Sequence, residues 1–434
     1  MSEYDYYLAQ FVDIHGRPKA KLVPAKHRDL IFGDGAGFAG FAIAGMGIGP
    51  EGREFMAIGD PASVRPVPWM PGTACVTCEG HVDGKPHAFD PRVIARTAMT
   101  AFKQHTGLTF FTGLEPEFFL LKALPQGGYE VATGSESLDK PCYDFQHLSA
   151  VAPVLSELRA ALELAGIDVY QIDHEDANGQ FEINFTYADG LATADNLTYF
   201  KMAAAAIARK HGLLCSFMPK PFAERSGSGL HMHMSAGASF GENAFEDKAD
   251  PRGLALSPLA YQFLAGLMAH APALTAIAAP TVNSYKRLVS SNSRSGATWA
   301  PVHVAYGDNN RTAFVRIPGG RIELRLSDAA ANPYLLTAAV IYAGLDGIRR
   351  KLTVPAPVNE NLYALGAAEL KRRGIARLPS TLPDAVDALV ADEALCDGLG
   401  RHFVAEFAEL KRRESDQLLT AVSQAEFKRY VDFF

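Results

Sequence analysis

The chain has 434 residues, 48% hydrophobic and 21% charged, close to the soluble average and long enough for two or three domains around a sizeable core. Disordered, collagenous and disulfide-stapled miniprotein classes are therefore excluded. With 41 Lys+Arg against 48 Asp+Glu the formal charge is −7, so there is no basic field for sequence-independent nucleic-acid binding. Five cysteines without regular spacing suit a reducing compartment. The start, MSEYDYYLAQFVD, has neither a basic n-region nor an apolar h-region, which predicts a cytoplasmic protein without a secretory signal.

In chain order, the first ninety or so residues are rich in Gly, Pro and short apolar runs. Thr73 to Glu79 is strand-like, and Asp83-Gly84 is a hairpin signal. Asp90-Pro91 reads as a helix cap with Pro at the first position, and Gly107 as the stop. That start sets the expected boundary between a domain at 1–91 and a larger one at 92–434. Beyond it, helical patterns at 151–166, 191–212, 256–278, 331–351 and 399–421 alternate with short strand pairs, an α+β order with mixed or antiparallel strands. Leu259 to Ala279 carries no Asp, Glu, Lys or Arg and is long enough to span a bilayer. Gln262, His270 and Pro272 within it favour a buried helix, so no membrane segment is expected.

Two local motifs carry little. Gly35-Ala-Gly37-Phe-Ala-Gly40 matches G-x-G-x-x-G with Asp60 downstream. The next residues, FAIAGMGIG, cannot open a stable helix, so there is no helix N-terminus for a pyrophosphate. Cys75 and Cys78 have zinc-like spacing, but three apart in a strand they face opposite ways. No P-loop sequence occurs.

The carboxylates form geometric sets. Glu115 and Glu117 stand two apart in the strand pattern TFFTGLEPEFFLL, on one face and among apolar neighbours. In QIDHEDANGQFEINF, a two-residue Asn178-Gly179 turn places Glu175 opposite Glu182. Opposed like charges need a neutralising partner, which a divalent cation supplies. His231 and His233 share a face after a Gly-rich turn, with Ser235 following; Arg321, Glu323 and Arg325 alternate on another. Oxygen-rich sites with an occasional imidazole suit Mg²⁺ or Mn²⁺ better than zinc. The surrounding arginines suit carboxylates and phosphates. Metals plus arginines equip a site for phosphoryl transfer.

These segments together resemble the glutamine synthetase superfamily. The resemblance is carried by G-x-E-x-E-F at 113–118, H-E-x-A-x-G-Q-x-E at 174–182, F-M-P-K-P at 217–221 and G-S-G-x-H-x-H at 227–233. It continues through N-S-Y-K-R at 283–287, N-R at 310–311, R-I-P at 316–318, R-I-E-x-R at 321–325, A-A-N-P-Y at 330–334 and A-G-L-D-G-I at 343–348. The resemblance implies an N-terminal β-grasp domain and a larger catalytic domain with a curved antiparallel sheet flanked by helices. It also implies a homo-oligomer of stacked rings with active sites between subunits. It implies Glu117, Glu175 and Glu182 as ligands of one metal, and Glu115, His231 and Glu323 as ligands of a second. Tyr187, His233, Ser235, Arg316 and Arg321 are then expected around ATP. Glu117, Ser226, Gly227, His231, Arg287 and Arg325 are expected around L-glutamate. The implied reaction phosphorylates the glutamate γ-carboxylate, after which an amine attacks the acyl phosphate, with Arg311 among the catalytic groups.

The chain departs from the family pattern at the ammonium pocket. The family's F-D-G-S-S segment reads Phe38-Ala39-Gly40-Phe41-Ala42, so its Asp is Ala39. A second acidic position falls on Glu54. The flap that normally reads G-Y-E-A-P reads Ala297-Thr298-Trp299-Ala300-Pro301, after a Ser-rich stretch, and Ser226 replaces an Asn. A pocket of Ala39, Ala42, Glu54 and Trp299 has lost carboxylate and gained apolar surface, which suits an alkylammonium better than ammonium. The expected reaction therefore joins a small alkylamine, methylamine first, to glutamate. Trp299 would contact the methyl and Glu54 would help deprotonate the amine. An ordinary glutamine synthetase, a ligase for longer amines and a catalytically inactive relative remain as alternatives. Asn361-Leu362-Tyr363 resembles the family segment that carries a modifiable Tyr in some members, or is structural.

Overall fold

The structure is a computed structural model describing residues 3–134, 140–290 and 298–431. Its N-terminal part is a 7-stranded sheet. Pro18–Pro24, Tyr6–Val12, Thr73–Val82, Phe55–Gly59 and Ala36–Phe38 lie side by side in that order, with Tyr6–Val12 parallel to Thr73–Val82. Asp83 and Gly84 turn this sheet's hairpin to Lys85–Pro86, and both have positive φ (51° and 72°), as a type I′ turn requires. Cys75 packs into the main core and Cys78 into a separate N-terminal one, so the strand does send them to opposite faces. Only a single 3₁₀ turn, Gly40–Ala42, follows the G-x-G-x-x-G run.

Asp90 caps the helix Pro91–Thr106 by accepting from the Val93 amide (3.0 Å), and Gly107 ends it at φ 75°. This helix couples the two parts of the chain. Its buried Arg92 donates to Glu79 on the N-terminal sheet (2.8 Å) and to both carboxylate oxygens of Asp195 (2.9 Å each). Tyr334 also donates to Asp195 (2.7 Å).

The second sheet has ten strands. Thr109–Ala123 is its axis, flanked by Gln180–Phe185 on one side and Leu230–Gly237 on the other. Ile322–Leu324 and then Val315–Ile317 extend it, and Tyr306–Asp308 joins in parallel. Helices Ala152–Leu164, Gly190–Lys210, Pro333–Arg349 and Arg401–Thr420 match the periodic patterns. Among the described residues no helix is long and apolar enough to cross a membrane.

Two expectations are corrected. The 256–278 pattern is two helices, Pro258–Ala269 and Ala271–Ala278, broken at His270. Pro272, in the first turn of the second, cannot donate into a continuous helix. The His270 ring bridges Asp392 (2.6 Å) and Asp346 (3.0 Å). Burial lowers its pKa, but the two carboxylates outweigh burial and raise it overall. The second correction is a register. Asp173, not Glu175, lies opposite Glu182, and His174 opposite Phe181. A type I′ turn needs φ > 0 at both central residues, and only Gly179 has it (φ 78°). The connection is instead a longer loop, closed by the Glu175 amide donating to the Gln180 carbonyl (2.9 Å).

Candidate active site

The axis strand points Glu115 and Glu117 toward one cavity, and each meets a different neighbour: Glu115 pairs in register with His231, and Glu117 with Glu182. Potential ligand atoms of Glu115, His231 and Glu323 all lie within 4.8 Å of one another, as do those of Glu117, Glu182 and His231. Glu175 falls outside both triads but lines the same cavity, of about 650 Å³.

The two carboxylate groups differ in electrostatics. Glu323 is fully buried, with Arg325 donating to it (2.7 Å) and Arg316 on its other oxygen. Burial pushes its pKa up, but Arg325 and the neighbouring imidazoles and Arg316 hold it low. Burial likewise opposes ionisation of Glu115, but hydrogen bonds to His231 (3.3 Å) and His233 (2.8 Å) win and hold it down. On the other flank burial, then repulsion from Glu117, pushes Glu175 up to about 8. Burial and repulsion from Glu175 drive Glu182 well above the ordinary range. The protein's own cations compensate Glu115 and Glu323 but leave Glu175 and Glu182 raised. This excess of buried oxygen charge, with one shared imidazole, fits a hard divalent cation.

A pH dependence follows. Without metal, folded Glu175 titrates near 8 against an ordinary 4.5. Between those values the folded state binds more protons than the unfolded one, so stability falls as pH rises, by up to about 1.4 kcal/mol per pH unit per proton. A bound divalent cation replaces the proton. The rise in Tm on adding Mg²⁺ to chelator-treated protein should therefore grow from pH 5.5 to 8.5, and Glu175→Gln should flatten that growth. Differential scanning calorimetry reads both, and a pH-independent increment would contradict the assignment.

Around the carboxylates, Gln180 donates to Glu117 (2.7 Å) and to the Gly227 carbonyl (3.1 Å). A Cβ at Gly227 would lie 2.3 Å from the Pro219 carbonyl, so only glycine lets this backbone come so close. The Gly229 amide donates to Glu117 (2.7 Å). Ser226 donates to Asp176. Arg287 is buried, donating to the Leu326 and Arg325 carbonyls (2.9 and 3.3 Å). Arg325 donates from its other terminal nitrogen to the Trp299 carbonyl (3.4 Å), while its buried Nε has no partner among the described residues. Arg287, Arg311, Arg316, Arg321 and Arg325 all line this cavity, as do Ser226 and Trp299.

A second cavity, of about 440 Å³, adjoins the first through Glu115, Tyr170 and Arg321. Tyr187, His233 and Ser235 line it. His233 Nδ1 accepts from Arg321 (3.1 Å), so its Nε2 carries the hydrogen toward Glu115. Tyr187 stacks on Phe240 with ring centroids 4.6 Å apart, leaving a partly exposed aromatic surface.

Ala39, Ala42 and Glu54 do not join Trp299 at the cavity within this chain. They are exposed on the N-terminal part and line neither cavity. Ala297 and residues 291–296 of the Ser-rich stretch at 290–296 lie outside the described residues. Sequence reasoning missed Tyr143, Asp176, Gln180 and Phe240. Gln180 stood inside a quoted motif. Tyr143, lining the cavity at φ 64°, and Phe240 gave no periodic signal.

A family model described as the glutamine synthetase catalytic domain matches residues 88–430. The glutamate–methylamine ligase of Methyloversatilis universalis is 52% identical over 434 residues, covering 100% of this chain and 97% of that relative. The glutamine synthetase of Rhizobium leguminosarum bv. phaseoli is 42% identical over 429 residues, covering 98% of this chain and 96% of that relative. A solved GmaS/ADP complex superposes with a TM-score of 0.92 at 41% identity, covering 99% of this chain and 97% of that one.

Proposed function

The chain belongs to the glutamine synthetase family, and on that premise we propose that it ligates a small alkylamine, methylamine first, to the γ-carboxylate of L-glutamate with conversion of ATP to ADP and phosphate. The observation that carries this reading is the full-length likeness to a glutamate–methylamine ligase. The carboxylate and arginine cavity, which opens into the aromatic-lined one, supports it.

The aromatic surface of Tyr187 and Phe240 packs against adenine, and Ser235, Arg316 and Arg321 direct the phosphates inward. Mg²⁺ or Mn²⁺, held by Glu115, Glu117, Glu175, Glu182, His231 and Glu323, would supply charge neutralisation for the phosphates. Glutamate lies against Ser226, Gly227 and Arg287, and the Arg325 Nε, unpartnered among the described residues, donates to its carboxylate. A γ-carboxylate oxygen attacks the terminal phosphorus, and ADP leaves. The carboxylate oxygen, a poor leaving group, becomes part of a good one. The free amine then attacks the acyl carbon, its extra proton is lost, and phosphate departs. Arg311, which lines this cavity, stabilises the charge that develops on phosphate. Since Ala39, Ala42 and Glu54 line neither of these two cavities in their own chain, we place them over a neighbouring subunit's site in a ring, with Trp299 completing the amine pocket.

Phosphate release with ATP, Mg²⁺ and glutamate, titrating methylamine and ammonium separately, tests the reading. A far higher kcat/KM for methylamine is expected. A preference for ammonium would make the chain an ordinary glutamine synthetase in which Ala39 and Trp299 are tolerated drift.

A further inference from the structure

Trp299 has φ 54°, a left-handed backbone conformation that bulky residues rarely adopt and that persists only where the surroundings over-determine it. Here three hydrogen bonds fall on consecutive residues. Thr298 Oγ1 donates to the Val289 carbonyl (2.6 Å), Arg325 to the Trp299 carbonyl (3.4 Å) and the Tyr363 hydroxyl to the Ala300 carbonyl (2.6 Å). The Arg325 bond is long, and that guanidinium is shared with Glu323. Tyr363 is better placed to act as a fixed post. It sits in the 3₁₀ turn Leu362–Ala364, which Asn361 caps through the Tyr363 amide (3.0 Å). Its neighbour Leu362 is buried and donates its amide to Thr312 (3.1 Å). Burial pushes the Tyr363 hydroxyl up to about 12, so it stays a neutral donor at working pH.

We propose that Tyr363 is a positioning residue whose hydroxyl, through the Ala300 carbonyl, fixes the Trp299 indole at the amine end of the cavity and so sets amine selectivity. The selectivity half rests on the function proposed above; the positioning half does not. The chain has two tryptophans. Trp69, the other, packs on Tyr199 (5.3 Å) and lines neither cavity, so a Trp69→Phe background leaves Trp299 as the sole indole reporter.

In that background Tyr363→Phe removes one oxygen. Acrylamide quenching of Trp299 should rise, and the KM for methylamine should rise about fivefold, the size of one neutral hydrogen bond. kcat should hold, and the methylamine-to-ammonium ratio should fall. Thr298→Val, which removes the hydroxyl that holds Val289 and also bonds the Tyr363 side chain, should shift quenching in the same direction. Unchanged quenching in Tyr363→Phe overturns the positioning role. Raised quenching with unchanged selectivity overturns the link to amine choice. Raised quenching in a protein that turns over no amine leaves the positioning intact and removes the substrate reading instead.

Discussion

Glu323→Ala is expected to abolish ATP turnover and to destabilise the protein by about 3–5 kcal/mol, the cost of breaking a buried ion pair by deleting one partner. Glu323 is fully buried, and Arg316 and Arg325, both largely buried, lean on its two oxygens. Its Oε1 also lies 3.9 Å from His231 Nδ1. Alanine leaves two guanidinium charges with no counter-ion inside the sheet. Glu323→Gln separates the two roles, because it keeps shape and one acceptor oxygen but loses the charge. Its kcat should fall roughly 100-fold or more, since even residues behind a metal ligand matter at the 10–100-fold level, and its half-saturating Mg²⁺ should rise. Urea midpoints read the first effect and a Mg²⁺ titration of phosphate release the second. A Glu323→Gln enzyme with wild-type Mg²⁺ dependence would remove this residue from the metal site.

Much of the site was legible because strand spacing is strict. Two residues apart means one face, so Glu115 with Glu117, and His231 with His233, could be grouped before any fold was known. Capping chemistry was equally readable at Asp90-Pro91 and Gly107. The Glu175–Glu182 pairing failed because the Asn178-Gly179 signal assumes positive φ at both residues, and tertiary packing gave it to Gly179 alone. Gly179 abuts Val131, whose Cβ is 2.6 Å from where a Cβ on Gly179 would stand, a contact 48 residues away that no local pattern encodes. The single long helix at 256–278 failed for a similar reason. Pro272 was visible, but the His270 bridge to Asp346 and Asp392 that holds the break joins three distant segments. Tyr143 and Phe240 sit in loops and turns, where side-chain direction follows the backbone path and not a period.

Ala39→Asp is expected to move the methylamine-to-ammonium ratio of kcat/KM about 100-fold toward ammonium. A pocket distinguishes one methyl by about 1–3 kcal/mol, or 10–200-fold, and a carboxylate in place of an apolar side chain both crowds the methyl and offers ammonium an ionic contact. Ala39→Asn, similar in size but uncharged, should lose methylamine activity without gaining ammonium activity, which separates crowding from charge. An Ala39→Asp enzyme with an unchanged ratio would place position 39 outside the amine pocket. Mixed assembly tests the geometry further. Ala39 lines neither site cavity in its own chain, so co-assembled Ala39→Asp and Glu323→Gln chains should recover methylamine preference. The working cavities of the first variant would then be covered by the unaltered Ala39 of the second. If the mixture keeps the ammonium preference of Ala39→Asp alone, residue 39 acts within its own chain and the pocket does not form between subunits.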